Sequence, residues 1–206
     1  MNAEVLTPVL DWLDLAGVAI FALTGALVAA REKQTFVTLA FFALLTGVGG
    51  GTVRDLLIGA PVFWIEDGLV AVVCLAIALL AWFTPTRWWD GKLLDVADGL
   101  GLTAYAVLGT AKALQYGVPP VPAAVMGVVT GTVGGIIRDV IAGRPSILMR
   151  PELYVTAAAL SATLTVAGEF VPVARSAVWV IAATCGFGLR LAAIQWKLSL
   201  PAYERD

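Results

Sequence analysis

The sequence predicts an all-α integral membrane protein with seven transmembrane helices, in which two inverted three-helix repeats are followed by a seventh helix. Two observations lead to this prediction. Of the 206 residues, 60% are hydrophobic and 14% are charged, and the mean hydropathy is +0.90. Soluble domains carry about 25% charged residues, so this chain is better suited to a bilayer than to water. The second observation is an internal duplication that covers six of seven apolar stretches.

Each predicted span is an apolar stretch close to the length that a helix needs to cross a bilayer, about 20 residues. The connecting segments are short and leave no room for a separate soluble domain, so residues 1–206 are predicted to form a single membrane domain. The predicted spans are 12–30, 36–58, 64–84, 95–113, 121–142, 152–169 and 176–196.

Basic residues beside the spans predict the orientation of the chain. Lysine and arginine accumulate on the cytoplasmic side of membrane proteins. That rule predicts an N-terminus outside and a C-terminus in the cytoplasm, and the outside segments then hold only Arg175. The predicted cytoplasmic segments hold Arg31, Lys33, Arg87, Lys92, Arg144, Arg150, Lys197 and Arg205.

The duplication has an offset of 84 residues and aligns Asp14 with Asp98 without a gap. It is strongest where TGVGGGTVRDLLIGAP at 46–61 meets TGTVGGIIRDVIAGRP at 130–145. A fixed offset of this kind is the sequence signature of a structural repeat. Apolar composition could align leucines by chance, but it would not align a shared Gly-Gly-x-x-Arg-Asp pattern.

The repeats are predicted to be inverted. Repeat one covers about 12–84 and repeat two about 95–169, whereas the seventh helix, about 176–196, has no counterpart. Because each repeat contains three spans, the second enters the membrane from the opposite side. Inverted repeats with glycine-interrupted helices at matching positions are typical of transporters and channels, and their site lies near the bilayer midplane.

Glycine clusters in the middle of spans two and five predict a kinked, pore-lining helix in each repeat. Consecutive glycines weaken a helix by about 1 kcal/mol each relative to alanine, and broken backbone at membrane depth is tolerated where it is buried or lines a cavity. The alternative is close helix packing, for which glycine is also suited. The predicted pore and kink residues are Gly49, Gly50, Gly51, Gly134, Gly135, Thr46 and Thr130.

An Arg-Asp motif follows each glycine cluster, as Arg54-Asp55 and Arg138-Asp139. An arginine at this depth costs about 2.5–3.5 kcal/mol on insertion scales, so each needs a partner. Neighbouring residues on a helix do not face each other, and we therefore expect the adjacent aspartate not to be that partner. A separation of roughly 13 Å along the two helices argues against direct pairing between the repeats.

Two symmetry-related clusters are predicted instead, with Arg54 beside Asp14 and Arg138 beside Asp98. Capping of helix N-termini is the other role open to these two aspartates, and it is compatible with the pairing. Lys112 breaks the symmetry because its repeat equivalent is Val28. It is predicted to face the outer half of the pore and to oppose cation passage at rest, with snorkelling to the interface as the alternative.

Composition also limits the possible chemistry. The chain has no histidine, which excludes histidine metal ligation and histidine acid–base catalysis. Cys74 and Cys185 form neither a disulfide framework nor a metal site, so neither a cofactor nor a metal is predicted. The net charge of −2 suggests no nucleic-acid partner. An enzyme is not predicted either, because no nucleophile–base pair can be identified.

The motifs GGGTVRD and VGGIIRD, with the lead-ins DLAGVAIFALTG and DGLGLTAYAVLG, resemble the bacterial branch of the trimeric intracellular cation (TRIC) channel family. The resemblance extends over nearly the whole chain. It implies a homotrimer in a bacterial inner membrane, surrounded by lipid, in which spans two and five of each protomer line a pore for K⁺ and Na⁺. It also matches Lys112 to a family lysine linked to gating. The second copy departs from the pattern at Val133, where the first has a third glycine.

Related bacterial sequences are also described as glycine transporters, so secondary transport of a small solute is the alternative function. A carrier needs a closed substrate site with alternating access, which inverted repeats provide. A channel needs a continuous polar path with weak binding along it. The sequence leaves both open. A purely structural membrane protein is less consistent with two intramembrane Arg-Asp motifs, because such charges usually mark a functional site.

Overall fold

The structure is a computed structural model that describes residues 3–89, 92–149 and 151–201, with the side chains of 3–13 and of Lys92 left outside the description. The predicted cytoplasmic residues Arg150 and Arg205 therefore lie outside the described residues. The described chain forms α-helices joined by short turns: α1 (Ala3–Arg31), α2 (Phe36–Ile58), α3 (Phe63–Glu66), α4 (Gly68–Phe83), α5 (Lys92–Gln115), α6 (Pro120–Ile141), α7 (Val155–Gly168) and α8 (Arg175–Trp196).

Each of the seven predicted spans corresponds to one of the longer helices, and the all-α fold class is confirmed for the described residues. By length and apolar composition, α1, α2, α5, α6 and α8 could each cross a membrane. Helices α4 and α7 are also apolar but contain only 16 and 14 residues. At 1.5 Å per residue they extend about 24 and 21 Å, less than a hydrocarbon core of about 30 Å. Seven membrane-crossing helices therefore stay a prediction.

The third helix of each repeat is short because the chain first makes a separate turn. In repeat one this turn is α3, and in repeat two it is the 3₁₀ helix Ile147–Met149. Both turns follow a glycine in the left-handed region, Gly59 with φ 69° and Gly143 with φ 65°. Glycine adopts this conformation without the steric cost of a Cβ, so α2 and α6 can end in the same way.

Helices α1 and α5 pack against each other across the two repeats. The rings of Phe21 and Tyr105, which occupy equivalent positions, have centroids 5.5 Å apart. The Tyr105 hydroxyl donates to the backbone oxygen of Asp14 at 3.0 Å. One buried apolar cluster joins α1, α2 and α4, and a second joins α5, α6 and α7. The contact between α1 and α5 holds these two halves of the core together.

Large apolar side chains remain exposed on the outer faces of several helices. Such surfaces are unusual for a soluble monomer and mark contacts with a membrane or with another protein. They are most evident on α2, α4 and α8, where examples are Val37, Phe41, Leu75, Leu79, Val180 and Ile181.

Candidate functional site

The centre of the molecule is the contact between α2 and α6. A Cβ added to Gly134 would lie 2.5 Å from the carbonyl oxygen of Thr46, and one added to Gly50 would overlap the carbonyl oxygen of Thr130. These contacts are equivalent under the 84-residue offset. Each threonine carbonyl therefore touches a glycine of the opposite helix, and glycine is needed because any side chain would separate the two backbones.

Both helices run unbroken through their glycine clusters, as continuous α-helices over Phe36–Ile58 and Pro120–Ile141. The predicted kink and pore lining at these glycines stay a prediction. The helices continue through the glycines because these residues are buried in a helix contact, where packing compensates for their low helix propensity. Close packing, the alternative that the sequence left open, describes Gly50 and Gly134.

The first Arg-Asp motif is an ion-paired cluster at the end of α2. Arg54 Nε donates to Asp55 Oδ1 at 2.9 Å, and Lys112 Nζ of α5 lies 2.8 Å from the same oxygen. The other carboxylate oxygen of Asp55 accepts from the backbone N–H of Phe63 at 3.1 Å. The guanidinium of Arg54 also lies over the Phe63 ring, 5.9 Å from its centroid. Asp55 thus joins α2, α3 and α5.

The second motif repeats part of this arrangement at the end of α6. Arg138 Nε donates to Asp139 Oδ1 at 2.9 Å, and Asp139 Oδ2 accepts from the backbone N–H of Ile147 at 3.0 Å. Arg138 Nη1 additionally lies 3.0 Å from both Asp98 Oδ1 and Thr24 Oγ1. Arg138 therefore connects α1, α5 and α6.

The predicted pairing of Arg138 with Asp98 is present in the structure, but the expectation about adjacent aspartates is wrong for both motifs. On a helix, the Cβ atoms of neighbouring residues point in different directions. An arginine side chain is long enough to curl back, so its guanidinium reaches the carboxylate of the next residue. Among the residues that the structure describes, no ion pair within 4.0 Å joins Arg54 to Asp14. The guanidinium of Arg54 is hydrogen-bonded to Asp55 instead.

Lys112 does not snorkel freely. Its side chain is 26% exposed and its ammonium contacts the fully buried carboxylate of Asp55. The lysine therefore has a carboxylate neighbour in space that it lacks in sequence. This contact depends on how α5 packs against α2, and no sequence pattern points to it.

Two polar cavities lie beside the two motifs. We call them the Lys112 cavity, with a volume of about 520 Å³, and the Arg138 cavity, with a volume of about 140 Å³. Arg144 lines the Arg138 cavity and its Nε donates to Glu32 Oε1 at 3.1 Å. Equivalent residues line both cavities: Asp14 and Asp98, Pro61 and Pro145, Phe63 and Ile147, and Lys112 and Val28.

The cavities lie at two different levels along α1 and α5. Along α1, Asp14 lines the Lys112 cavity and Val28 lines the Arg138 cavity, whereas along α5 Asp98 comes first and Lys112 second. Each pair is 14 residues apart, or about 21 Å along a helix. The two helices therefore run antiparallel between the cavities.

A third charged cluster, around Arg190 of α8, is better defined in the structure than in the sequence. Arg190 is 1% exposed, and its Nη1 donates to Glu152 Oε2 at 2.8 Å. Its guanidinium lies 5.2 Å from the ring centroid of Tyr154. The buried guanidinium is therefore ion-paired inside the helix bundle and does not extend to the surface. The sequence does not identify Glu152 and Tyr154 as the partners of Arg190. An arginine within a predicted span nevertheless indicates that an acidic partner must exist.

A bundle of apolar helices with buried ion pairs between two polar cavities has the architecture of a channel or transporter, and its fold is that of a known channel class. The crystal structure of the trimeric intracellular cation channel orthologue from Rhodobacter sphaeroides superposes with a TM-score of 0.85 and 38% sequence identity. The alignment covers 92% of this chain and 99% of that one.

Sequence relatives identify the family. A family model described as "Glycine transporter" matches residues 11–86 and 95–169. A UPF0126 membrane protein of Vibrio cholerae is 36% identical over 203 residues, 96% of this chain and 84% of the relative. The UPF0126 inner membrane protein YadS of Escherichia coli is 34% identical over 201 residues, 95% of this chain and 96% of the relative. The chain belongs to this UPF0126 family of membrane proteins.

Proposed function

We propose that this protein is a channel that conducts monovalent cations such as K⁺ and Na⁺, through a pore in each protomer between the Lys112 cavity and the Arg138 cavity. The observation that carries the proposal is the placement of these cavities. They are separated along the antiparallel helices α1 and α5 and are lined by equivalent residues of the two repeats. Between them is the contact of α2 with α6, where the two backbones touch at Gly50 and Gly134.

The charges of the cavities support cations as the permeant ions. Carboxylates outnumber the basic group at the Lys112 cavity, where Asp14, Glu66 and Asp67 face Lys112. At the Arg138 cavity the guanidinium of Arg138 is neutralised by carboxylate partners. Carboxylates at the mouth of a narrow path raise the local concentration of cations. The surplus carboxylates at the Lys112 cavity attract the ion, whereas three arginines and three aspartates balance each other in the lining of the Arg138 cavity.

In this proposal the Lys112 cavity opens outside a bacterial inner membrane and the Arg138 cavity opens to the cytoplasm, with the N-terminus outside. The positive-inside distribution of basic residues supports this orientation. The antiparallel course of α1 and α5, and the two family matches at 11–86 and 95–169, support inverted repeats. A homotrimer surrounded by lipid is proposed because the Rhodobacter sphaeroides protein is described as trimeric and because the outer helix faces are apolar.

The structure also offers one observation in favour of a carrier for a small zwitterion such as glycine. The Lys112 cavity contains both an ammonium group and carboxylates, which could bind the two charged ends of an amino acid. Its volume of about 520 Å³ falls within the range of about 300–1,000 Å³ typical of small-molecule sites. However, Lys112 already pairs with Asp55, and a bound carboxylate would have to displace that partner.

Flux measurements in proteoliposomes distinguish the two functions. Vesicles loaded with K⁺ are diluted into K⁺-free buffer in one arm, and labelled glycine is supplied under the same gradients in the other. We expect rapid K⁺ and Na⁺ movement that does not saturate at low concentration and no glycine accumulation above protein-free vesicles. Saturable glycine uptake without cation conductance would replace the channel by the carrier.

A further inference from the structure

Helix α8 is the one long helix that the internal repeat does not generate, and it carries a fully buried arginine. Arg190 is held on three sides by described residues. Its Nη1 donates to Glu152 Oε2 at 2.8 Å, and its guanidinium lies over the ring of Tyr154. Its aliphatic stem packs on Gly99, where an added Cβ would lie 2.7 Å from Arg190 Cγ. Burying a charged side chain among apolar helices costs free energy, and such a charge usually marks a functional site.

The contacts of Arg190 lead to the second Arg-Asp motif. Gly99 directly follows Asp98, so Arg190 packs on the backbone beside the carboxylate that pairs with Arg138. Tyr154 approaches from the other side. Its hydroxyl lies 3.4 Å from the position of a Cβ at Gly135, and Arg138 Nη2 lies 3.7 Å from the same position. The Tyr154 hydroxyl and the Arg138 guanidinium therefore flank one point of α6.

Three buried polar atoms in this region have no hydrogen-bond partner among the described residues: Asp98 Oδ2, the Tyr154 hydroxyl and Arg190 Nε. A buried donor or acceptor left without a partner costs free energy, and a shared buried water commonly satisfies such groups. Arg138 Nη1 pairs with Asp98 Oδ1 at 3.0 Å, and Arg138 Nη2 and the Tyr154 hydroxyl lie beside the same point of α6. One water shared by the hydroxyl and Asp98 Oδ2 would complete the hydrogen bonding of that carboxylate.

We propose that Arg190 is a positioning residue of the conduction path, which acts through Tyr154 to hold the Asp98–Arg138 pair at the Arg138 cavity. The proposal rests on the cation-channel function proposed above. Glu152 orients the guanidinium, the guanidinium orients the tyrosine ring, and the hydroxyl fixes the Asp98 carboxylate that lines the Arg138 cavity. Through this relay α8 positions a charged pair at one end of the pore although it does not line that pore.

Two readouts test the relay, and only one of them requires conduction. The first is the ratio of single-channel K⁺ currents at equal positive and negative voltages. The second is the labelling rate of Leu94→Cys, at the Arg138 cavity, by a membrane-impermeant cationic thiol reagent in a Cys185→Ala background. We expect Arg190→Gln and Tyr154→Phe each to change both by about threefold or more, and their double variant to show no further change, as for coupled residues.

The matched control is Arg175→Gln, because Arg175 is the other arginine of α8 and also pairs with a glutamate, Glu169, but at an exposed site. It is expected to behave as wild type in both readouts. If Arg190→Gln does not fold, Tyr154→Phe still tests the relay, since this substitution removes a single oxygen atom and keeps the ring.

Unchanged current ratios and labelling rates in Tyr154→Phe, or additive effects in the double variant, would overturn the relay. The same experiments test the proposed cation-channel function independently of the relay. A wild-type protein that passes no cation current, but whose labelling responds to Tyr154→Phe and Arg190→Gln as expected, would retain the relay and refute the channel.

Discussion

The ammonium nitrogen of Lys112 lies 2.8 Å from Oδ1 of Asp55. This contact connects the residue that breaks the repeat symmetry to the Arg-Asp motif of the first repeat. Asp55 is fully buried and also accepts from Arg54 and from the Phe63 backbone. In this conformation, therefore, two cations share one carboxylate, and Arg54, Lys112 and Asp55 together carry one net positive charge.

The first prediction concerns the removal of that charge. Lys112→Ala leaves Asp55 paired with Arg54 and removes one positive charge beside the Lys112 cavity, so open probability or K⁺ conductance should rise. A charge moved across the whole membrane is worth about 2.3 kcal/mol per 100 mV, so voltage dependence should weaken. Planar-bilayer recording measures both, and Lys112→Arg is the matched control that should resemble wild type. Wild-type conduction by Lys112→Ala at every voltage would reduce the lysine to a structural anchor.

The two motif arginines should differ in their contribution to stability. Arg138→Ala removes the cation that neutralises both Asp98 and Asp139, and breaking a buried pair of this kind costs about 3–5 kcal/mol. Arg54→Ala should cost less, because Lys112 still neutralises Asp55.

Thermal unfolding in detergent compares these variants, with Arg175→Ala as a control at an exposed pair that should lie within about 1 kcal/mol of wild type. Altered conductance should accompany the loss of stability in both motif variants. Equal melting of Arg54→Ala and Arg138→Ala would argue against the difference in partners, and wild-type conductance in both would argue against their placement near the pore.

The glycine contact between α2 and α6 makes a third prediction. Gly134→Ala places a methyl group 2.5 Å from the carbonyl oxygen of Thr46, so the helices must separate and overpacking should destabilise the protein by about 1–3 kcal/mol. Gly188→Ala is the matched control, because its added methyl group meets nothing within 4 Å and alanine favours a helix by about 1 kcal/mol. Melting temperatures should therefore fall in the first variant and be equal or higher in the second. A fall in both would show that glycine is required for another reason.

The sequence predicts the long helices well because their signals are local. Apolar length defines α2 as residues 36–58 in both the prediction and the structure. The duplication was informative about the site for a similar reason, since repeated glycines and charges can be read without knowing the packing. The pairing of Arg138 with Asp98 follows from their depth in the two helices.

Contacts between helices are harder to predict from the sequence. The pairing of Lys112 with Asp55 depends on the rotation of α5 against α2, and the Arg54–Asp55 pair depends on the path of a flexible side chain. The close contact of Gly50 and Gly134 with the opposite helix depends likewise on packing, which helix propensity does not report. The short length of α4 results from the turn at Phe63, which the side chain of Asp55 holds, a contact that apolar patterning cannot reveal.

Topology supplies a fourth prediction. Reporter fusions at Asp11 and Glu204 should place the N-terminus outside and the C-terminus in the cytoplasm, because an odd number of spans separates them. The side chain of Asp11 and all of Glu204 lie outside the described residues. A fusion in the α4–α5 connection, near Arg87, should report the cytoplasm. Both termini on one side would exclude seven spans and the inverted repeat with them.

Single-channel recording of the purified protein in a planar bilayer with symmetric KCl tests the central claim most directly. The account predicts discrete current steps carried by K⁺, which persist when Na⁺ replaces K⁺ and correspond to rates above any carrier turnover. Silent bilayers, from protein that takes up glycine saturably in vesicles, would contradict it.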